Sequence, residues 1–148
     1  MNQPETQSKE LSSSGSKVTM EIAESEFQRF CDEMDLDVDT EVMDAEDKTA
    51  FEKIKRRIIK AMQSGALVIN ENGEAVYTPQ RSDYTDPITF HERTGNSALA
   101  MDGKKKNEDA RKTYAVMGDI CKVHPGIFSK LRGTDIKICE GIFTLLMD

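Results

Sequence analysis

The chain has 148 residues, 37% apolar and 32% charged, with no Trp, enough for one domain with a modest core plus tails. It has no run of about 18 apolar residues, which argues against a membrane span, and its first residues, MNQPETQSKELSSSGSK, lack an apolar signal core, so secretion is not expected. Net charge is −7, yet residues 32–47 hold nine Asp or Glu and no Lys or Arg, leaving +2 for the rest; that remainder lacks the dominant basic surface of a nucleic-acid binder.

In chain order, residues 1–17 are polar and read as a disordered tail. KVTMEI alternates Val18, Met20 and Ile22, the pattern of a short strand. Ser25 then stands as N-cap of a short helix, EFQRFCDEM, with Phe27, Phe30, Cys31 and Met34 on one face. After the acidic stretch, Asp44 and Asp47 sit at the cap and third positions of a helix over about 45–64, where anionic side chains favour the helix dipole. Phe51, Ile54, Ile58 and Met62, joined partly by Ile59, form its apolar stripe. Lys53, Arg56, Arg57 and Lys60 lie opposite, and Gly65 is the stop signal.

Next, ALVINENGEAVYTP places two β-prone runs around Asn72-Gly73, a hairpin signal, with Pro79 ending the second run. PITFHE is a third strand, with Ile88 and Phe90 on one face. GNSALAMD reads as a short helix broken at GKKK. A longer helix follows in NEDARKTYAVMGDICKV, with Tyr114, Met117, Ile120 and Cys121 inward. Pro125 starts a helical turn through Phe128 and Leu131, and Thr134 caps a last helix to Met147. That helix is apolar around more than half its circumference, including Ile136, Ile138, Cys139, Ile142, Phe143, Leu145, Leu146 and Met147, so it is either deeply buried or open to a partner. The order predicts an α+β protein: a small antiparallel β unit followed by a helical C-terminal half, in a single domain over 18–148.

Little in this chain points to catalysis. There is no glycine-rich phosphate loop and no recognisable nucleophile motif. The three cysteines, Cys31, Cys121 and Cys139, are odd in number and widely spaced, which fits a reduced cytoplasmic compartment. Cys121, His124 and Cys139 have some of the spacing of zinc ligands, but a structural zinc site wants four ligands in tight pairs; two cysteines on packed helices serve equally well as small apolar residues. The clusters KIKRR and GKKK lack interleaved aromatics and read as a solvated face and a loop.

The acidic stretch DLDVDTEVMDAE is the sharpest motif. Asp35, Asp37, Asp39, Glu41 and Glu46 fall at the ligand offsets of a calcium-binding EF-hand loop, with Val42 at the apolar eighth place. Against calcium, Thr40 occupies the sixth place, where the sharp turn demands Gly. Leu36 and Val38 also stand in places normally polar or Gly, and no second hand follows. The remaining readings are an acidic docking surface for a basic partner and a solvated connector that caps the next helix.

From about Phe51 to Asp148 the chain resembles the tail assembly chaperones of long-tailed bacteriophages. The segments that carry this are the amphipathic helix, the ENGEAVYTP hairpin, the passage PITFHERTGNSALAMD, and the close VHPGIFSKLRGTDIKICEGIFTLLMD, where Leu131, Asp135 and Phe143 stand at the family's places. Arg93 departs from the Pro of many relatives, and DGKKKNEDARK has no clear counterpart. The resemblance implies a non-enzymatic protein of the host cytoplasm, without cofactor, that self-associates. It would bind the tape-measure protein, keep it soluble and yield it to the tail-tube protein. Candidate partner-binding residues are then Phe51, Ile54, Ile58 and Met62 on the first long helix, and Ile138, Ile142, Phe143, Leu145 and Leu146 on the last. Ordinary core is the competing reading for each of them, and the eight methionines would suit adaptable packing.

Overall fold

A computed structural model describes residues 17–95 and 109–147. The fold is α+β. In chain order it runs α1 (Met20–Glu33), a 3-10 turn (Thr40–Val42), α2 (Ala45–Ser64), β1 (Leu67–Ile69), β2 (Ala75–Tyr77), β3 (Ile88–Phe90), α3 (Asp109–Cys121), α4 (Gly126–Lys130) and α5 (Thr134–Met147). The tail expected over 1–17 lies, up to residue 16, outside the described residues, as does the short helix expected in GNSALAMD from residue 96 on.

The strand expected at KVTMEI is instead the start of α1. Thr19 is its N-cap, with Oγ1 accepting from the Ile22 N–H at 3.2 Å. The period-2 pattern extended over only three residues. The 3.6-residue spacing of Ala23, Phe27, Phe30 and Cys31, all buried, is longer and takes Met20 and Ile22 into the helix. Ser25 is therefore an exposed residue inside α1 and not its cap.

The expected bounds of α2 hold. The Asp44 side chain accepts from the Asp47 N–H at 2.8 Å, satisfying a donor that the helix leaves unpaired. Asp44→Ala should cost about 1 kcal/mol, read as a lower urea midpoint with an unchanged m-value.

Helices α1, α2 and α3 end alike. The chain turns left-handed at Asp35 (φ 55), Gly65 (φ 88) and Lys122 (φ 58). The next N–H then reaches back to the last turn: Leu36 to Cys31 at 2.9 Å, Ala66 to Ala61 at 3.0 Å, and Val123 to Gly118 at 3.0 Å. This closure satisfies carbonyls the helix would leave open. Glycine takes it freely, whereas Asp35 and Lys122 bear a left-handed cost of about 1 kcal/mol each.

The sheet is an antiparallel meander in the order β1-β2-β3. Leu67 pairs Tyr77 and Ile69 pairs Ala75; Ala75 pairs Phe90 and Tyr77 pairs Ile88. All six side chains are buried, so one face of the sheet meets the helices while Val68, Val76 and Thr89 are half-buried on the other. The hairpin forms where Asn72-Gly73 places it, but with three loop residues. Asn70 donates to the Glu74 carbonyl at 2.9 Å, and Gly73 donates to the Asn70 carbonyl at 3.0 Å. Of these loop residues Gly73 alone is left-handed, φ 80, the three-residue alternative to a two-residue Asn-Gly turn.

The core joins α1, α2, the sheet, α3, α4 and α5 in one cluster. Arg29 ties α1 to the hairpin: its guanidinium donates to the carbonyls of Ile69 and Asn70, both at 2.9 Å, and to Glu26 at 2.8 Å. Helix α5 packs on α2, with Gly141 against Ile54.

Candidate functional site

The acidic stretch is built by alternation. From Asp35 to Glu41 the carboxylates at 35, 37, 39 and 41 are exposed, while Leu36, Val38 and Thr40 are half-buried between them. Leu36, Val38 and Met43 pack on the core. Between the left-handed turn at Asp35 and the 3-10 turn at Thr40–Val42 the segment is thus a ribbon with an apolar underside and an acidic outer edge. Leu36 and Val38, awkward in a calcium loop, are its anchors.

The carboxylates are used locally. Asp37 accepts from the Asp39 N–H at 3.4 Å and Asp39 from the Glu41 N–H at 3.0 Å, closing successive side-chain turns. Asp35 carries the left-handed turn that ends α1, and Glu46 lies in the first turn of α2. Thr40 begins the 3-10 turn without the positive φ that a calcium loop needs at its sixth place. The structure does not bring Asp35, Asp37, Asp39, Glu41 and Glu46 together. Among the described residues, no group of three or more His, Cys, Asp or Glu could hold a metal ion. Titration with millimolar calcium in a calorimeter should give no saturable heat.

The candidate partner-binding residues lie largely inside the core. Phe51, Ile58 and Met62 of α2 and Ile138, Ile142, Leu145 and Leu146 of α5 are buried in the shared core, while Ile54 and Phe143 are half-buried. Helix α2 packs on both α5 and α1, where Phe51 meets Phe27 with ring centroids 6.3 Å apart, so neither stripe is an open surface along its length. What α5 leaves partly open is Ile136, Phe143 and Met147, spaced so that they share one side of the helix.

Cys31, Cys121 and Cys139 are all buried and free. Burial pushes the Cys31 and Cys121 thiols up to about 12, so they stay protonated and unreactive at neutral pH. His124 Nδ1 accepts from the Gly126 N–H at 2.9 Å, holding the turn into α4. His91 Nδ1 lies 2.7 Å from Glu74. Burial opposes ionisation of Glu74, but the Asn70 amide and His91 together outweigh it and hold its pKa below the ordinary value.

The most constrained polar group is Asp135, in the first turn of α5 and fully buried. One carboxylate oxygen accepts from the Tyr77 hydroxyl at 2.5 Å and the Gln80 N–H at 2.9 Å. The other accepts from the Arg81 N–H at 2.8 Å and the Ser82 hydroxyl at 2.6 Å. Burial by itself would raise its pKa. The donors Gln80, Ser82, Tyr77 and Arg81 outweigh burial and hold it below the usual carboxylate value. Burial, and then the carboxylate, push the Tyr77 phenol up. Ser82 Oγ accepts in turn from the Arg132 N–H at 2.8 Å, and the Arg132 guanidinium donates to the Arg81 carbonyl at 3.1 Å. Asp135 thereby fastens the connection after β2 to the start of α5. In sequence it is the acid in the first turn of a largely apolar helix.

No helix among the described residues is long and apolar enough to cross a membrane. Compared with protein-family models, curated proteins and solved structures, the chain matches none.

Proposed function

We propose that this chain is a non-enzymatic tail assembly chaperone of a long-tailed phage, acting in the host cytoplasm. It binds the tape-measure protein, self-associates, and yields its client as tail-tube subunits assemble. The observation that carries the reading is the convergence on Asp135. The resemblance rests on the hairpin, the Leu131 and Asp135 positions and the final apolar helix. Asp135 joins Tyr77 at the end of the hairpin, the connection beyond it, and the first turn of α5. Leu131 is buried just before it. Residues that look like a loose motif in sequence are thus one packed unit in space.

The client surface in this reading is the half-open side of α5, Ile136, Phe143 and Met147, where an amphipathic helix can lay its apolar face. Co-expression with a fragment of the tape-measure protein tests it. The fragment should become soluble and co-purify, and Phe143→Ser should lower its recovery by about tenfold. A fragment that stays insoluble beside abundant folded chaperone sinks the reading. The exposed acidic ribbon supports a second reading, an acidic protein-binding module centred on residues 35–46.

A further inference from the structure

We propose that the chain associates head to tail, the acidic ribbon of one copy seating Val42 in a groove between α1 and α2 of the next. This deepens the self-association in the reading above, and its test uses no client, so either can fail alone.

The groove has a volume of about 600 Å³. Ile59, buried, helps to line it, and Met20, 54% exposed, forms part of its wall. Arg56 and Lys60 line it as well, with Glu52 beside them. Glu24, also in the lining, is paired with Lys55 at 3.1 Å. The helix that carries these cations is strongly basic here: Lys48 to Lys60 holds six Lys or Arg and one acid, Glu52.

The ribbon is its complement. All nine carboxylates of residues 32–47 are exposed, with no cation among them. Val42, 75% exposed, and Met20 are the exposed large apolar side chains of the described residues. One lies in the acidic ribbon and the other on the groove, where Lys55 is paired with Glu24 and Arg56 and Lys60 stand against Glu52 alone. Burying them against each other removes both from water, and the flanking charges set orientation and speed encounter.

The ribbon cannot fill the groove of its own copy. Val42 precedes α2, whereas the groove runs along its second half. At 1.5 Å per residue, Ile59 lies about 22 Å along the axis from Asp44. Leu36, Val38 and Met43 also anchor the ribbon to the core. Donor and acceptor surfaces are therefore different patches of one molecule; seated head to tail, each contact leaves a free groove at one end and a free ribbon at the other, so association extends beyond a pair.

Sedimentation velocity on the full chain over a concentration series at low salt is the test. The weight-average mass should rise without levelling at a dimer, and association should weaken about tenfold when NaCl goes from about 0.05 to 0.5 M. One variant carries Glu41→Lys and Glu46→Lys; a second carries Arg56→Glu and Lys60→Glu. Each alone should associate at least about tenfold more weakly than wild type, and an equimolar mixture should regain wild-type association. Val42→Ser should also weaken it, without any change of charge. All these positions are exposed, and circular dichroism verifies that each variant is folded. A wild-type chain that stays monomeric, a mass that levels at a dimer, or folded variants whose mixture does not associate overturns the proposal.

Discussion

Replacing Asp135 by Ala is expected to cost about 3–5 kcal/mol and to lower Tm by on the order of 10–20 °C. The substitution leaves two hydroxyls and two backbone N–H groups, from Tyr77, Ser82, Gln80 and Arg81, without their acceptor in a buried site. Each orphaned donor costs about 1–3 kcal/mol, and their costs do not simply add. Asp135→Asn should cost less, because the amide oxygen still accepts from some of these donors while its NH2 faces the others. The two variants also differ from wild type in pH dependence. The pKa of Asp135 is depressed in the folded state, so its contribution is fully present above the unfolded value, about 3.9. It is lost as pH falls through the folded value. The stability gap between wild type and Asp135→Asn should therefore narrow from pH 7 toward pH 3 in urea titrations. A gap that does not change with pH would mean that the donors do not favour the ionised carboxylate.

The second large effect is expected at Gly73. Its φ of 80 already disfavours a side chain, and a Cβ placed there would stand 2.4 Å from both Cβ and Cγ of Glu33. The first of those atoms is fixed to the α1 backbone, so relief requires the hairpin and the end of α1 to move apart. Arg29 resists that movement through its bonds to Ile69 and Asn70. Gly73→Ala should cost about 2–4 kcal/mol, of which about 1 kcal/mol is the left-handed backbone. A double-mutant cycle separates the parts: in a Glu33→Gly background, the cost of Gly73→Ala should fall to the backbone part alone. Equal costs in both backgrounds would show that the contact with α1 contributes nothing.

These two positions also mark where sequence patterns stop being informative. Gly73 was legible as a turn residue because a turn is written in adjacent side chains. Its second role, admitting α1, depends on Glu33, forty positions earlier. Asp135 stood out in the sequence only as one of the places that carry the family resemblance. That it is a buried hub depends on Tyr77 and on backbone donors more than fifty residues away. The acidic ribbon was only partly legible for a related reason. Ligand offsets are met cheaply in so acidic a segment, whereas the alternation of Leu36 and Val38 with Asp35, Asp37 and Asp39 was the physically demanding pattern, since apolar anchors need a core to meet. A similar competition moved the start of α1, where three alternating residues yielded to a longer helical stripe.

By itself, then, the sequence determined the α+β class, both ends of α2 with its Gly65 stop, the place of the hairpin turn, and the inward face of β3. These follow from caps, left-handed glycines and side-chain periods, all of which act over a few residues. Only the tertiary structure decided that the apolar stripes of α2 and α5 are buried in one shared core, leaving Ile136, Phe143 and Met147 partly open. It alone also assigned Asp135 its four donors and gave the ribbon its exposed Val42. Burial and the pairing of a charged group are properties of what the chain brings back from a distance. A hydrophobic pattern states that a face must be covered, and the fold supplies what covers it.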